Sequence, residues 1–200
     1  MLLPLIQSQL NQYKIGWRKS FMEGFSQDDN GAPLPWMTYT FVDYISQKLT
    51  KDDVIFEFGC GASTLFFAPK VKKIVAVESN EMWLRIMQMK LKEANITNVE
   101  IIFMADGFIN KDYEYSAKNY ARIHEQKFDF IFIDSLKRFE CLKRSIPALK
   151  DDGFLVLDDS ERKSYKKIFK FFEDKEFKKQ DFFGIAPGQF YLKNTTMFWK

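Results

Sequence analysis

The sequence predicts a doubly wound α/β fold, a mostly parallel seven-stranded sheet that ends in an antiparallel hairpin and carries a helical segment in front. Three observations predict it. From Asp53 onward, short apolar runs alternate with longer stretches of helical spacing. The runs are almost continuously apolar, as parallel strands covered on both faces require. A length of 200 residues suits one compact domain and leaves little room for a second core.

Taken in order, residues 1–50 read as an N-terminal helical appendage and residues 51–200 as the main domain. The appendage holds helical patches at Leu5–Tyr13 and Thr38–Leu49, separated by a loop over Ser26–Pro35. Five strands follow at Val54–Phe58, Lys73–Val77, Val99–Met104, Phe128–Ile133 and Gly153–Leu157. The stretches between them read as helices at Ser63–Ala68, Asn80–Glu93, Phe139–Leu149 and Ser160–Phe172, with a mixed helix and loop over Asn110–Gln126. Asn80 suits an N-cap. Gln180–Ile185 and Thr195–Trp199 fit an edge hairpin, placed to close the sheet or to meet a second copy in a homo-oligomer.

Hydrophobic residues make up 46% and charged residues 28%, which excludes a globally disordered chain. Thirty Lys and Arg against 27 Asp and Glu leave a formal charge of +3, too weak for a strongly basic nucleic-acid coater. Nucleic acid is therefore not the expected partner; a small-molecule acceptor is. Cys60 and Cys141 lie far apart, against a cysteine-based zinc site or a disulfide framework. No signal peptide or membrane span is read, so a cytoplasmic location is expected.

The chemistry concentrates at Glu57-Phe58-Gly59-Cys60-Gly61-Ala62-Ser63, where the first strand ends. Two glycines allow a tight turn and let a ligand lie against the backbone. Glu78, 21 positions after Glu57 and with Ser79 beside it, closes the second strand, where an acid can accept from both hydroxyls of a ribose. A dinucleotide site would favour glycine at position 64, which is Thr64 here, and Glu57 suits a cationic ligand better than a pyrophosphate.

These residues resemble the first motif of the class I S-adenosylmethionine-dependent methyltransferases, Rossmann-like enzymes, over roughly residues 53–160. The resemblance implies S-adenosyl-L-methionine as cofactor, with Glu57, Gly59, Cys60, Gly61 and Ser63 around its methionine part. Glu78 and Ser79 would hold the ribose, and Asp106 and Gly107 the adenine. Ser63 departs from the usual third glycine. Trp36, in Pro35-Trp36-Met37-Thr38-Tyr39, resembles cofactor-covering elements of bacterial methyltransferases whose substrate is unassigned, and gives the appendage the part of a lid.

Asp134, Asp158 and Asp159 stand at the ends of the fourth and fifth strands. Oxygen ligands of this kind suit a hard divalent cation, Mg²⁺ being the candidate. They resemble the acids of metal-dependent O-methyltransferases, which makes Asp134 and Asp159 the catalytic candidates and an oxygen of a small or sugar-like metabolite the expected acceptor. Position 134–137 lacks the proline-aromatic run of DNA amino-methyltransferases, and no cysteine follows a proline as cytosine-C5 enzymes need. His124, the only histidine, is a secondary candidate base near the open end of the sheet. The Lys-rich stretch Arg162–Lys179 reads as an amphipathic helix with an exposed basic face. Two alternatives stay open, an interaction module without turnover that uses this helix and an NAD-dependent oxidoreductase.

Overall fold

The computed structural model describes residues 16–105 and 111–200. The expected helix at Leu5–Tyr13 and the expected adenine-binding residues Asp106 and Gly107 lie outside the described residues. Strands β1 (Val54–Phe58), β2 (Lys73–Glu78), β3 (Val99–Phe103), β4 (Phe128–Ile133), β5 (Leu149–Leu157), β6 (Lys178–Gly184) and β7 (Lys193–Trp199) form one sheet in the order β3-β2-β1-β4-β5-β7-β6. The first five are parallel; β7 runs antiparallel to β5 and to β6.

Eight α-helices are described: α1 (Trp17–Glu23), α2 (Tyr39–Lys48), α3 (Ala62–Phe67), α4 (Glu81–Glu93), α5 (Lys111–Glu114), α6 (Ser116–His124), α7 (Arg138–Ser145) and α8 (Lys166–Glu173). Alternation along the strands sorts the core into layers. Val54, Phe56 and Phe58 of β1 face Tyr113, Ala117, Leu142, Ile168 and Phe172 of α5 to α8. Ile55 packs on the opposite side with Phe41, Val42 and Ile45 of α2 and Phe66 and Phe67 of α3. Helix α4 adds Met87 and Leu91 against Ala76. None of the described helices is long and apolar enough to cross a membrane.

Several boundaries move for identifiable reasons. Pro147 converts the end of the expected 139–149 helix into a 3-10 turn, and β5 starts at Leu149, ahead of Gly153. After β5, Ser160 is held by the carbonyl of Asn194 through both N–H and Oγ, so α8 begins only at Lys166. Lys178 and Lys179 belong to β6, which shortens the expected amphipathic helix. Helix α1 was not expected. His124 ends α6 and stacks on Tyr120 at 4.1 Å; Tyr120 bonds Lys73 and Glu100 where β2 and β3 begin, so His124 sits away from the open strand ends. As a candidate base it is withdrawn.

Strand order reverses between β1 and β4. Side by side in register Phe58↔Ile133, their carboxyl ends open the crevice where doubly wound sheets place ligands.

Candidate active site

A pocket fills that crevice. Its walls are Glu57 of β1, Gly59, Cys60 and Gly61 of the turn that follows, Ser63 of α3, Trp83 of α4, Phe132 of β4 and Asp134 just beyond it, with Phe25, Ser26, Trp36 and Met37 from the segment before the sheet. Gly59 has φ +93, and a Cβ there would lie 3.3 Å from the carbonyl oxygen of Asp134, so the turn requires glycine on both counts. Gly61 has extended backbone (φ 179), and its missing side chain faces the ring of Trp83 at 4.0 Å.

Glu57 is 2% exposed, and burial pushes its carboxyl up to about 7 against hydrogen bonds from Thr64 and Ser63. Thr64 Oγ1 donates to Glu57 Oε2 at 2.6 Å and accepts from Gly61 N–H at 3.0 Å. Thr64, at the site of a dinucleotide fold's third glycine, thus ties the acid to the turn. Glu78 ends β2 with Oε1 accepting from the N–H groups of Ser79 (2.7 Å) and Asn80 (2.8 Å), while Oε2 faces Cys60 N at 3.4 Å. The carboxylate is aimed at the turn before any ligand arrives. Asn80 caps α4 by accepting from Trp83 N–H at 3.0 Å, and this directs Trp83 Nε1 onto the Cys60 carbonyl at 2.6 Å.

The three aspartates form a different kind of site. Their oxygens come within 4.8 Å of one another, the spacing a cation needs. Cations of the protein itself already occupy it. Lys193 Nζ lies 2.5 Å from Asp158 Oδ2 and 2.6 Å from Asp159 Oδ1, and donates to the Trp36 carbonyl at 3.1 Å. Arg138 reaches Asp134 at 2.7 Å and Asp159 at 3.2 Å, and Arg162 also pairs with Asp159. Burial alone would lower the pKa of Lys193, but Asp158, Asp159 and Asp134 outweigh it and hold the ammonium charged. Likewise burial alone would raise Asp159; Lys193, Arg138 and Arg162 keep it below the ordinary carboxylate value. Three acids meet three bases, so the donor set does not fit a divalent metal. The expected Mg²⁺ site at Asp134, Asp158 and Asp159 is corrected on that ground. Asp158 and Asp159 are buried in the knot, and only Asp134, 39% exposed at its side chain, reaches the pocket.

Sequence reasoning missed Phe25, Ser26, Trp83 and Phe132 as wall residues, and Arg138 and Lys193 as the partners of the aspartates. Trp83 had a signal, since an N-cap at Asn80 puts it in the helix turn nearest the glycines. Lys193 had none, being one lysine among many and 35 positions from Asp158.

No family model and no curated protein matches the chain. Solved structures do. An rRNA methylase from Streptococcus thermophilus superposes with a TM-score of 0.60 at 17% identity, covering 79% of this chain and 92% of its own. A precorrin-6y C5,15-methyltransferase from Geobacter metallireducens gives 0.59 at 17% identity, over 88% and 97% of the two chains. A Streptococcus mutans protein assigned to the methyltransferases, in complex with SAH, gives 0.57 at 16% identity over 78% and 93%. The chain has the class I methyltransferase fold.

Within that fold Glu57 and Gly59 line the crevice at the carboxyl end of β1, while Glu78, at the end of β2, is not in the pocket wall and reaches it through Cys60 N–H. The expectation about partners needs correction. Structures that share the class I fold with this chain include an rRNA methylase and tRNA methyltransferases, so a weak net charge is no ground for setting nucleic acid aside.

Proposed function

We propose that the protein is an S-adenosylmethionine-dependent methyltransferase. The observation that carries this reading is the Gly59 turn bracketed by buried Glu57 and pre-aimed Glu78 where strand order reverses. The wall chemistry suits the cofactor, for the lining residues hold two carboxylates and no basic side chain, matching a ligand with a sulfonium and an ammonium.

When bound, the cofactor supplies an electrophilic methyl group. Gly59 allows close approach to the backbone, Glu57 offers its carboxyl to the cationic end, and Glu78 keeps lone pairs for ribose hydroxyls. Trp36, Phe25 and Met37 shield this end from water as a lid, leaving transfer to depend on positioning and desolvation. Asp134 lies on the β4 side, where its exposed carboxylate can orient an acceptor or take its proton.

Two acceptor classes follow. An oxygen of a small or sugar-like metabolite no longer has a metal to support it and rests on Asp134 alone. A nucleotide in RNA is favoured by the named activities of the rRNA and tRNA methyltransferases sharing the fold. Calorimetric titration with S-adenosylhomocysteine, with NAD as control, tests the cofactor. Saturable binding of the first alone supports the reading, and binding of neither brings forward the interaction module. Label transfer from S-adenosylmethionine to small-molecule and RNA fractions then separates the acceptors.

A further inference from the structure

Among the described residues, three buried side-chain atoms lack a hydrogen-bond partner: Ser26 Oγ, Gln189 Oε1 and Asn194 Oδ1. Of these only Ser26 lines the pocket, and the residue is fully buried at 0% exposure. An enclosed hydroxyl without a partner is unfavourable, and such groups are rare unless something completes them. Ser26 is not on a loose loop. Leu34 N–H donates to its carbonyl at 3.0 Å, and its neighbour Gln27 is gripped at both backbone groups by Ser20 Oγ, at 2.9 and 2.8 Å.

The other hydroxyls at this end of the pocket are committed, since Thr64 and Ser63 both serve Glu57. The lining carries Glu57, which no base of the protein pairs with, to receive positive charge, but no lysine or arginine to receive negative charge. A ligand with an ammonium and a carboxylate on one carbon therefore finds acceptors for the first, and for the second a single uncommitted hydroxyl donor. We propose that Ser26 is a cofactor contact, its hydroxyl donating to the carboxylate of the amino-acid end of S-adenosylmethionine. This rests on the cofactor reading above and extends the binding site into the segment ahead of the sheet.

Two ligands and one substitution test it. S-adenosylhomocysteine carries the carboxylate; S-adenosyl-3-thiopropylamine keeps the amine and thioether but lacks it. Calorimetry on Ser26→Ala should show the dissociation constant for S-adenosylhomocysteine rising about ten-fold, the scale of one hydrogen bond to a charged group. Affinity for the decarboxylated ligand should match wild type. The unliganded thermal midpoint should hold or rise, because the substitution removes a buried group that bonded nothing. Unchanged S-adenosylhomocysteine affinity overturns the proposal, as does an equal loss for both ligands or a lowered midpoint. If wild type itself binds no S-adenosylhomocysteine, the cofactor reading fails first, which is a distinguishable result.

Discussion

The pocket turn and the aspartate knot are both acidic ends of parallel strands, a few residues apart across the sheet, and they are built on opposite plans. At the turn, Glu57 and Glu78 are supported only by neutral donors, hydroxyls and backbone N–H groups, so no base of the protein is paired with them. At the knot, Asp134, Asp158 and Asp159 are matched by Lys193, Arg138 and Arg162, and Thr195 Oγ1 donates to Asp158 at 2.8 Å besides. The same residue chemistry thus makes a receptor for cations in one place and a structural tie in the other. What decides is whether the fold brings in a base.

The largest expected effect breaks the tie. Lys193→Met leaves Asp158 and Asp159 with far less compensation in a region where Lys193 is 1% exposed, and should cost about 3–5 kcal/mol, read as a lowered thermal midpoint. The same variant should bind Mn²⁺ more tightly than wild type, because the Asp158 Oδ2 and Asp159 Oδ1 atoms that Lys193 held are then released beside Asp134. An unchanged midpoint and no metal binding would erase the contrast between the two regions.

Next comes pH. Glu57 titrates at about 7 in the folded protein against an ordinary 4.5, since its charged form is penalised by burial. Its protonated form stabilises the fold fully below about 4.5, and that contribution is lost as pH rises to about 7. A cationic ligand favours the ionised form, so affinity for S-adenosylhomocysteine should increase about ten-fold from pH 6 to pH 8. Glu57→Gln should flatten that profile. A pH-independent wild type would mean that Glu57 does not meet the ligand's charge.

Smaller still is Trp36→Ala. Trp36 is 40% exposed, so removing it should weaken cofactor binding several-fold through lost packing while shifting the unliganded midpoint little, in ligand titrations and melting curves run side by side. The smallest effect is none at all. EDTA should leave turnover unchanged, and a loss reversed by Mg²⁺ would show that the knot opens to admit metal.

The strands and the cap at Asn80 were legible because period and capping are local properties. So was the Gly59 turn with its two glutamates, since strand ends in a doubly wound sheet fall at predictable places. The fate of the aspartates was not, because spacing shows acids while pairing depends on Lys193, a strand away. Helix α1 was hidden for a related reason. Its residues Phe21 and Met22 are exposed and Ser20 is the buried one, so no apolar stripe marks it. Ser26 went unseen because an unsatisfied hydroxyl has no signature until everything around it is in place.

The wall before the sheet is held by the far end of the chain. Trp17 Nε1 bonds the carbonyl of Gln189, 172 positions away; Trp36 Nε1 bonds that of Pro187, 151 away; and Thr38 Oγ1 bonds that of Phe182, 144 away. Closing such loops is slow compared with forming local helices. A nascent chain emerging from the ribosome carries its glycine turn and both glutamates early, yet the wall cannot be latched until the β6–β7 hairpin is released. Products truncated ahead of β6 therefore carry the motif without the enclosure.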